Sequence, residues 1–89
     1  MIINVPSLLI TGASRGLGLE LVRQYLVDGW EVHAGMRHPA AASEDVQALK
    51  RVYGDALQLQ HIDVEDHESI ERLAARLAGR PIDVLINSA

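Results

Sequence analysis

The chain has 89 residues, enough for one domain with a modest core, and its 48% hydrophobic and 22% charged residues exclude a disordered polymer. A formal net charge of −4 argues against a nucleic-acid surface, which needs a basic stripe. The absence of cysteine excludes disulfides and thiolate metal sites, and no apolar run or basic N-terminal region suggests a membrane span or signal peptide, so a soluble cytoplasmic protein without a membrane partner is expected.

Short apolar runs alternate with longer amphipathic ones. Ser7–Thr11 reads as a first strand, and a helix follows from about Leu17 to Asp28, with Leu21, Val22, Tyr25 and Leu26 on one face and Gly29 as its stop. A second strand is expected at Glu31–Gly35. The next helix spans about Glu44–Tyr53, capped by Ser43, with Val46, Leu49 and Tyr53 apolar and Gly54 ending it. A third strand at Ala56–Ile62 leads to a helix from about His67 to Ala78. Asp66 caps that helix, Ile70, Leu73, Ala74, Leu77 and Ala78 recur at helical spacing, and Gly79 and Pro81 close it. Ile82–Asn87 is the fourth strand.

Leu8-Leu9-Ile10 and Val84-Leu85-Ile86 are continuously apolar, which suits parallel strands covered on both faces. Right-handed crossovers then turn the βαβαβαβ run into an α/β, doubly wound parallel sheet of strand order 3-2-1-4. The first two helices are expected on one face and the third on the other. Aromatic residues are few (Tyr25, Trp30, Tyr53), so the core must be aliphatic.

The first strand runs into Thr11-Gly12-Ala13-Ser14-Arg15-Gly16-Leu17-Gly18, and a helix begins at once. Gly12 allows a sharp turn off the strand, Gly16 removes a side chain where a pyrophosphate must approach, and Gly18 lets the helix pack close. The helix N-terminus offers N–H groups and partial positive charge to phosphates, and Ser14 can add a hydroxyl. Three glycines can also make a plain tight turn, but the strand before and the helix after weigh against that here. A P-loop is excluded, because no Gly-Lys-Ser/Thr follows.

On these residues the chain resembles the short-chain dehydrogenase/reductase family, whose cofactor motif Thr11-Gly12-x-x-x-Gly16-x-Gly18 matches throughout. Asp63-Val64 stands at the end of the third strand, where the family's Asp accepts a hydrogen bond from the adenine amino group. Asn87-Ser88-Ala89 ends the fourth, where the family carries Asn-Asn-Ala-Gly. Ser88 replaces the second Asn. The Arg-Gly-Leu-Gly-Leu-Glu stretch is similar to carbonyl-reductase and C-factor-like members. The resemblance implies that Gly12, Ser14, Arg15, Gly16, Leu17, Gly18, Asp63, Val64, Asn87 and Ala89 hold a dinucleotide in a Rossmann unit. Without it, Asp63 reads equally as a turn or cap residue, and Asn87 as a polar strand end.

The choice of dinucleotide follows from charge. An NAD site places an acid at the end of the second strand, about 20 residues after the glycines, to bond the ribose 2′-hydroxyl. Val32-His33-Ala34-Gly35-Met36-Arg37-His38-Pro39 contains none. Arg37 stands where a 2′-phosphate would lie, and Arg15 can reach the same anion from the glycine loop with the planar fork that suits phosphate. NADP(H) is therefore expected in preference to NAD(H). His33, His38, His61 and His67 lack metal-ligand spacing, and no metal is expected.

The family's chemistry is hydride transfer between the nicotinamide and a carbonyl or alcohol. The resemblance assigns it to a Tyr acid/base, a Lys four residues later, a Ser and an Asn. None of these has a counterpart here: Tyr25 is followed at that spacing by Gly29, Tyr53 by Leu57, and Lys50 is the single lysine. The span 1–89 thus reads as the N-terminal, dinucleotide-binding part of such an oxidoreductase, incomplete at its C-terminus, and inactive alone. The alternative is a short, non-catalytic module that associates with a full-length relative. In either case the fourth strand would be a bare apolar edge that invites self-association.

Overall fold

In the computed structural model, which describes residues 5–88, the core begins with β1 (Ser7–Thr11). Its side chains alternate between two apolar layers, as a central strand requires. The other elements are α1 (Gly16–Val27), β2 (Glu31–Met36), α2 (Glu44–Tyr53), β3 (Leu57–His61), α3 (His67–Arg76) and β4 (Val84–Asn87). All strand pairs are parallel, in the order β3-β2-β1-β4. This is the doubly wound arrangement expected from the sequence.

Leu8 and Ile10 of β1 join Val32, Ala34 and Met36 of β2 and Leu57 of β3 in one buried layer with Val22 and Leu26 of α1 and Val46 of α2. Leu9 faces the opposite way and packs with Ile62, Leu73 and Leu77. Hence α1 and α2 cover one face of the sheet and α3 the other. Tyr25 and Tyr53 are half-buried against the first layer, and Tyr25 meets Trp30 edge-on at 4.9 Å between ring centroids.

Both ends of the β1–β4 pair are pinned by side chains. Asp83 Oδ2 accepts from Ser7 N–H at 2.8 Å, and the Ser7 hydroxyl donates to the Pro81 carbonyl at 2.6 Å. At the far end Thr11 Oγ1 donates to Asn87 Oδ1 at 2.7 Å, and Ser88 N–H donates to the Thr11 carbonyl at 3.2 Å. Ser43 caps α2 by accepting from Val46 N–H, and Asp66 caps α3 by accepting from Glu68 N–H. Both caps are those read from the sequence.

Several boundaries and one helix face differ from expectation. A single 3-10 turn at Gly54–Ala56 takes Ala56 out of β3, and a second forms at Pro39–Ala41. Ile82 precedes β4, because Asp83 is held by Ser7 instead of entering the ladder. Helix α3 turns the stripe Ser69, Leu73 and Leu77 inward, leaving Ile70, Ala74 and Ala78 exposed. The inward serine is possible because its hydroxyl finds partners in the preceding loop.

His33 lies on the α3 side of the sheet and is only 1% exposed. Its Nε2 stands 3.2 Å from Glu31 Oε1 and its Nδ1 3.3 Å from Gln60 Nε2. Burial pushes the imidazole below its ordinary pKa; Glu31 opposes that shift, and Arg80 adds to it. Among the described residues, no helix is long and apolar enough to cross a membrane.

Candidate functional site

Parallel strands end together, and the sheet's connections reverse direction beside β1, from β2 on one side to β4 on the other. A crevice opens at such a switch point, outside the carboxyl ends of the strands. Here it is a cleft of about 740 Å³, lined by the loop from Thr11 to Gly18, by Met36 and Arg37 after β2, by Ile62 to Glu65 after β3, and by Ser88.

The loop's shape comes from its glycines. Gly12 and Gly16 adopt φ values of 67° and 60°, the left-handed region that L side chains avoid. A β-carbon on Gly18 would stand 2.1 Å from the Gly12 carbonyl oxygen, so the first turn of α1 rests directly on the turn that leaves β1. A β-carbon on Gly16 would meet nothing within 4 Å, because it would project into open space. The loop is also tied sideways: Ala13 N–H donates to the Gly35 carbonyl at 3.1 Å. Gly35 itself has no room for a side chain, since a β-carbon there would lie 2.6 Å from Ile62 Cγ2 and 3.1 Å from the Ile10 carbonyl oxygen.

The three helices differ at their N-termini. Those of α2 and α3 are capped by Ser43 and Asp66, whereas α1 has Arg15 at its N-cap with no side-chain hydrogen bond and no acidic residue in its first turn. Its leading N–H groups, which no helix can satisfy internally, lie along the cleft at Gly16, Leu17 and Gly18. Leu17 is 70% exposed.

Arg15 and Arg37 line the same cleft from different loops, and both are exposed. Among the described residues neither guanidinium has an ion pair or hydrogen bond, in contrast to those of Arg23, Arg51 and Arg72, which face Glu20, Glu44 and the Asp66–Glu68 pair. Two unneutralised guanidinium groups beside an uncapped helix N-terminus make a concentrated anion-attracting region.

Across the cleft, Asp63 is half-buried and its Oδ1 accepts from Glu65 N–H at 3.0 Å, a turn closed by the side chain on its own backbone. Val64 is exposed beside it, and Ser14 lines the near wall. The structure therefore brings Gly12, Ser14, Arg15, Gly16, Leu17, Gly18, Arg37, Asp63 and Val64 around one cavity. Asn87 does not line it; its carboxamide holds Thr11 at the strand end, and Ser88 reaches the wall instead. Ala89 lies outside the described residues.

The sequence motifs do not point to Met36, Ile62, Glu65 or Ser88 as site residues and give Gly35 no role. Met36 and Ile62 are the last apolar residues before Arg37 and Asp63, so the strand-end rule would have found them. A glycine inside a strand-forming run is itself a signal of close backbone approach. Among the described residues, no group of three or more His, Cys, Asp or Glu side chains is arranged to hold a metal ion.

A doubly wound parallel sheet with a glycine-built turn into an uncapped helix at its switch point defines a Rossmann-type α/β unit. The family model for short chain dehydrogenases matches residues 6–89, and the chain belongs to that family. It is 38% identical over 84 residues to the NADP-dependent 3-hydroxy acid dehydrogenase YdfG of Salmonella typhi, covering 91% of this chain and 32% of that protein. Its identity to the serine 3-dehydrogenase of Agrobacterium fabrum is 33% over 85 residues, 93% of this chain and 32% of the relative. Among solved structures it is similar to a carbonyl reductase from Pseudomonas aeruginosa in complex with NADP, with a TM-score of 0.88 and 38% identity, covering 94% of this chain and 36% of the other. The chain thus spans about a third of the length of the curated relatives it matches.

Proposed function

We propose that residues 1–89 form the NADP(H)-holding, N-terminal part of an oxidoreductase whose whole form passes hydride between the nicotinamide and a carbonyl or alcohol. The observation that carries this reading is the uncapped N-terminus of α1, open to a cleft between two unpaired arginines. Gly12, Gly16 and Gly18 with the leading N–H groups of α1 hold the pyrophosphate, aided by the Ser14 hydroxyl. Arg37 and Arg15 take the 2′-phosphate by charge-assisted, forked hydrogen bonds. Asp63 accepts from the adenine amino group, and Val64 and Leu17 offer apolar surface to the cofactor. Asn87 acts through Thr11 by fixing the strand end, and Ser88 continues the wall of the cleft.

NADP(H), when bound, supplies the hydride; these residues orient it and do not move a proton. With no Tyr-x-x-x-Lys pair in its sequence, the 89-residue chain is expected to bind cofactor without turnover. That the similar Pseudomonas aeruginosa reductase is in complex with NADP, and that the Salmonella typhi relative is NADP-dependent, supports the choice of cofactor.

Titration calorimetry with NADPH, NADH and 2′,5′-ADP tests the reading. NADPH is expected to bind about tenfold or more tightly than NADH, the scale of one hydrogen bond to a charged group. Arg37→Ala should remove most of that preference and leave NADH binding nearly unchanged. NADPH affinity indifferent to Arg37→Ala would sink the 2′-phosphate assignment, and a chain that binds none of these ligands would sink the cofactor reading.

A further inference from the structure

The loop between β3 and α3 carries Asp63 and Val64 to the cleft, yet the residue that organises it is not among those lining the cleft. Ser69 is 0% exposed and lies on the inward stripe of α3 with Leu73 and Leu77. Its hydroxyl accepts from Asp63 N–H at 2.9 Å. The same oxygen stands 2.9 Å from the Asp63 carbonyl and 2.8 Å from the Asp66 carbonyl, which share its one proton. Both backbone polar groups of Asp63 are therefore bonded by one side chain of α3, and the carbonyl also accepts from Asp66 N–H at 2.9 Å, which leaves the Ser69 hydroxyl as the partner of Asp63 N–H. Serine is neutral to unfavourable inside a helix, and an alanine here would extend the apolar stripe. What the hydroxyl adds is the geometry of the loop.

That geometry bears on one carboxylate. With the Asp63 backbone fixed by Ser69 and Oδ1 engaged by Glu65 N–H, Oδ2 is the oxygen without a partner among the described residues. A hydrogen bond discriminates between ligand groups only if its acceptor is held within a few tenths of an ångström of its position.

We propose that Ser69 is a positioning residue for adenine recognition. By holding the Asp63 backbone against α3 it fixes the acceptor that reads the exocyclic amino group. The proposal rests on the adenine role given to Asp63 above.

The full 89-residue chain is titrated with NADPH and with its hypoxanthine counterpart, in which a carbonyl oxygen replaces the amino group. The ratio of the two affinities isolates recognition of that group. The wild-type chain is expected to favour NADPH by about tenfold or more, and Ser69→Ala to bring the ratio within about threefold. The preference for NADPH over NADH, read at the 2′-phosphate, should persist in the variant. A merely structural role would weaken all three ligands together and keep the adenine ratio, which overturns the proposal. If circular dichroism shows Ser69→Ala unfolded, Ser69→Cys, similar in size with weaker hydrogen bonds, is expected to give an intermediate ratio. A wild-type ratio in that folded variant also overturns it. A wild-type chain that binds both dinucleotides equally removes the adenine role of Asp63, and with it the proposal; that failure is visible before any substitution at Ser69 is made.

Discussion

Two glycines in the first loop do different work, and substitution separates them. Gly18 sits where a β-carbon would lie 2.1 Å from a backbone oxygen, so Gly18→Ala must push α1 off the turn. It should cost about 2 kcal/mol or more, the scale of overpacking, and shift the urea midpoint with or without ligand. Gly16→Ala meets no neighbouring atom but forces a side chain to φ 60°, a strain of about 1–2 kcal/mol. Its methyl group would project into the cleft, so NADPH affinity should fall further than stability does. Equal losses in stability and affinity would contradict this division. The glycine roles were legible because spacing alone fixes where each falls on a strand–turn–helix. The Asp63–Glu65 turn was not, since an acid after a strand fits several local conformations.

At the level of the elements, strand order and both helix caps followed from pattern, because crossover handedness and capping chemistry leave few choices. The inward face of α3 did not follow. Ile70 and Ala74 adjoin Ser69 and Leu73 at helical spacing, and the rotation goes with the packing of Leu73 and Leu77 on Ile62 and Leu9 and with the buried partners of the Ser69 hydroxyl. The sheet face beneath α3 holds a second feature that periodicity cannot report, the buried imidazole of His33. The charged groups about it are Glu31, Arg80 and, through Gln60, Arg76. Its folded pKa lies below the ordinary 6.5, so the unfolded chain takes up a proton first as pH falls. The stability it contributes is complete above about pH 6.5 and is lost as pH drops through the folded value. Urea midpoints should accordingly decline on going from pH 7.5 to 5.5, and His33→Gln should flatten that decline. An unchanged slope in the variant would remove His33 as its source.

For the molecule as a whole, the sheet's coverage is unequal. Among the described residues, helices α1 and α2 share one face, while α3 alone covers the other, and edge strand β4 leaves Leu85 66% exposed. An apolar side chain on an unprotected edge invites pairing with another copy. Sedimentation velocity over rising concentration should reveal reversible self-association, and Leu85→Lys should suppress it without lowering the melting temperature by more than a few degrees. A wild-type monomer at all concentrations would dismiss the expectation.

The position of β1 between β2 and β4 also governs the order in which the chain can assemble. Thr11 and Asn87, which clasp the far end of the β1–β4 pair, are 76 residues apart in sequence. During synthesis β1 can join β2 early, but its other flank must stay open until β4, the last strand of this sheet, has emerged from the ribosome. Such distant closure is slow, because loop entropy is lost before the contact forms. The nascent chain therefore carries an uncovered hydrogen-bonding edge on β1 until β4 is available, which makes that interval the stage at which a chaperone would act.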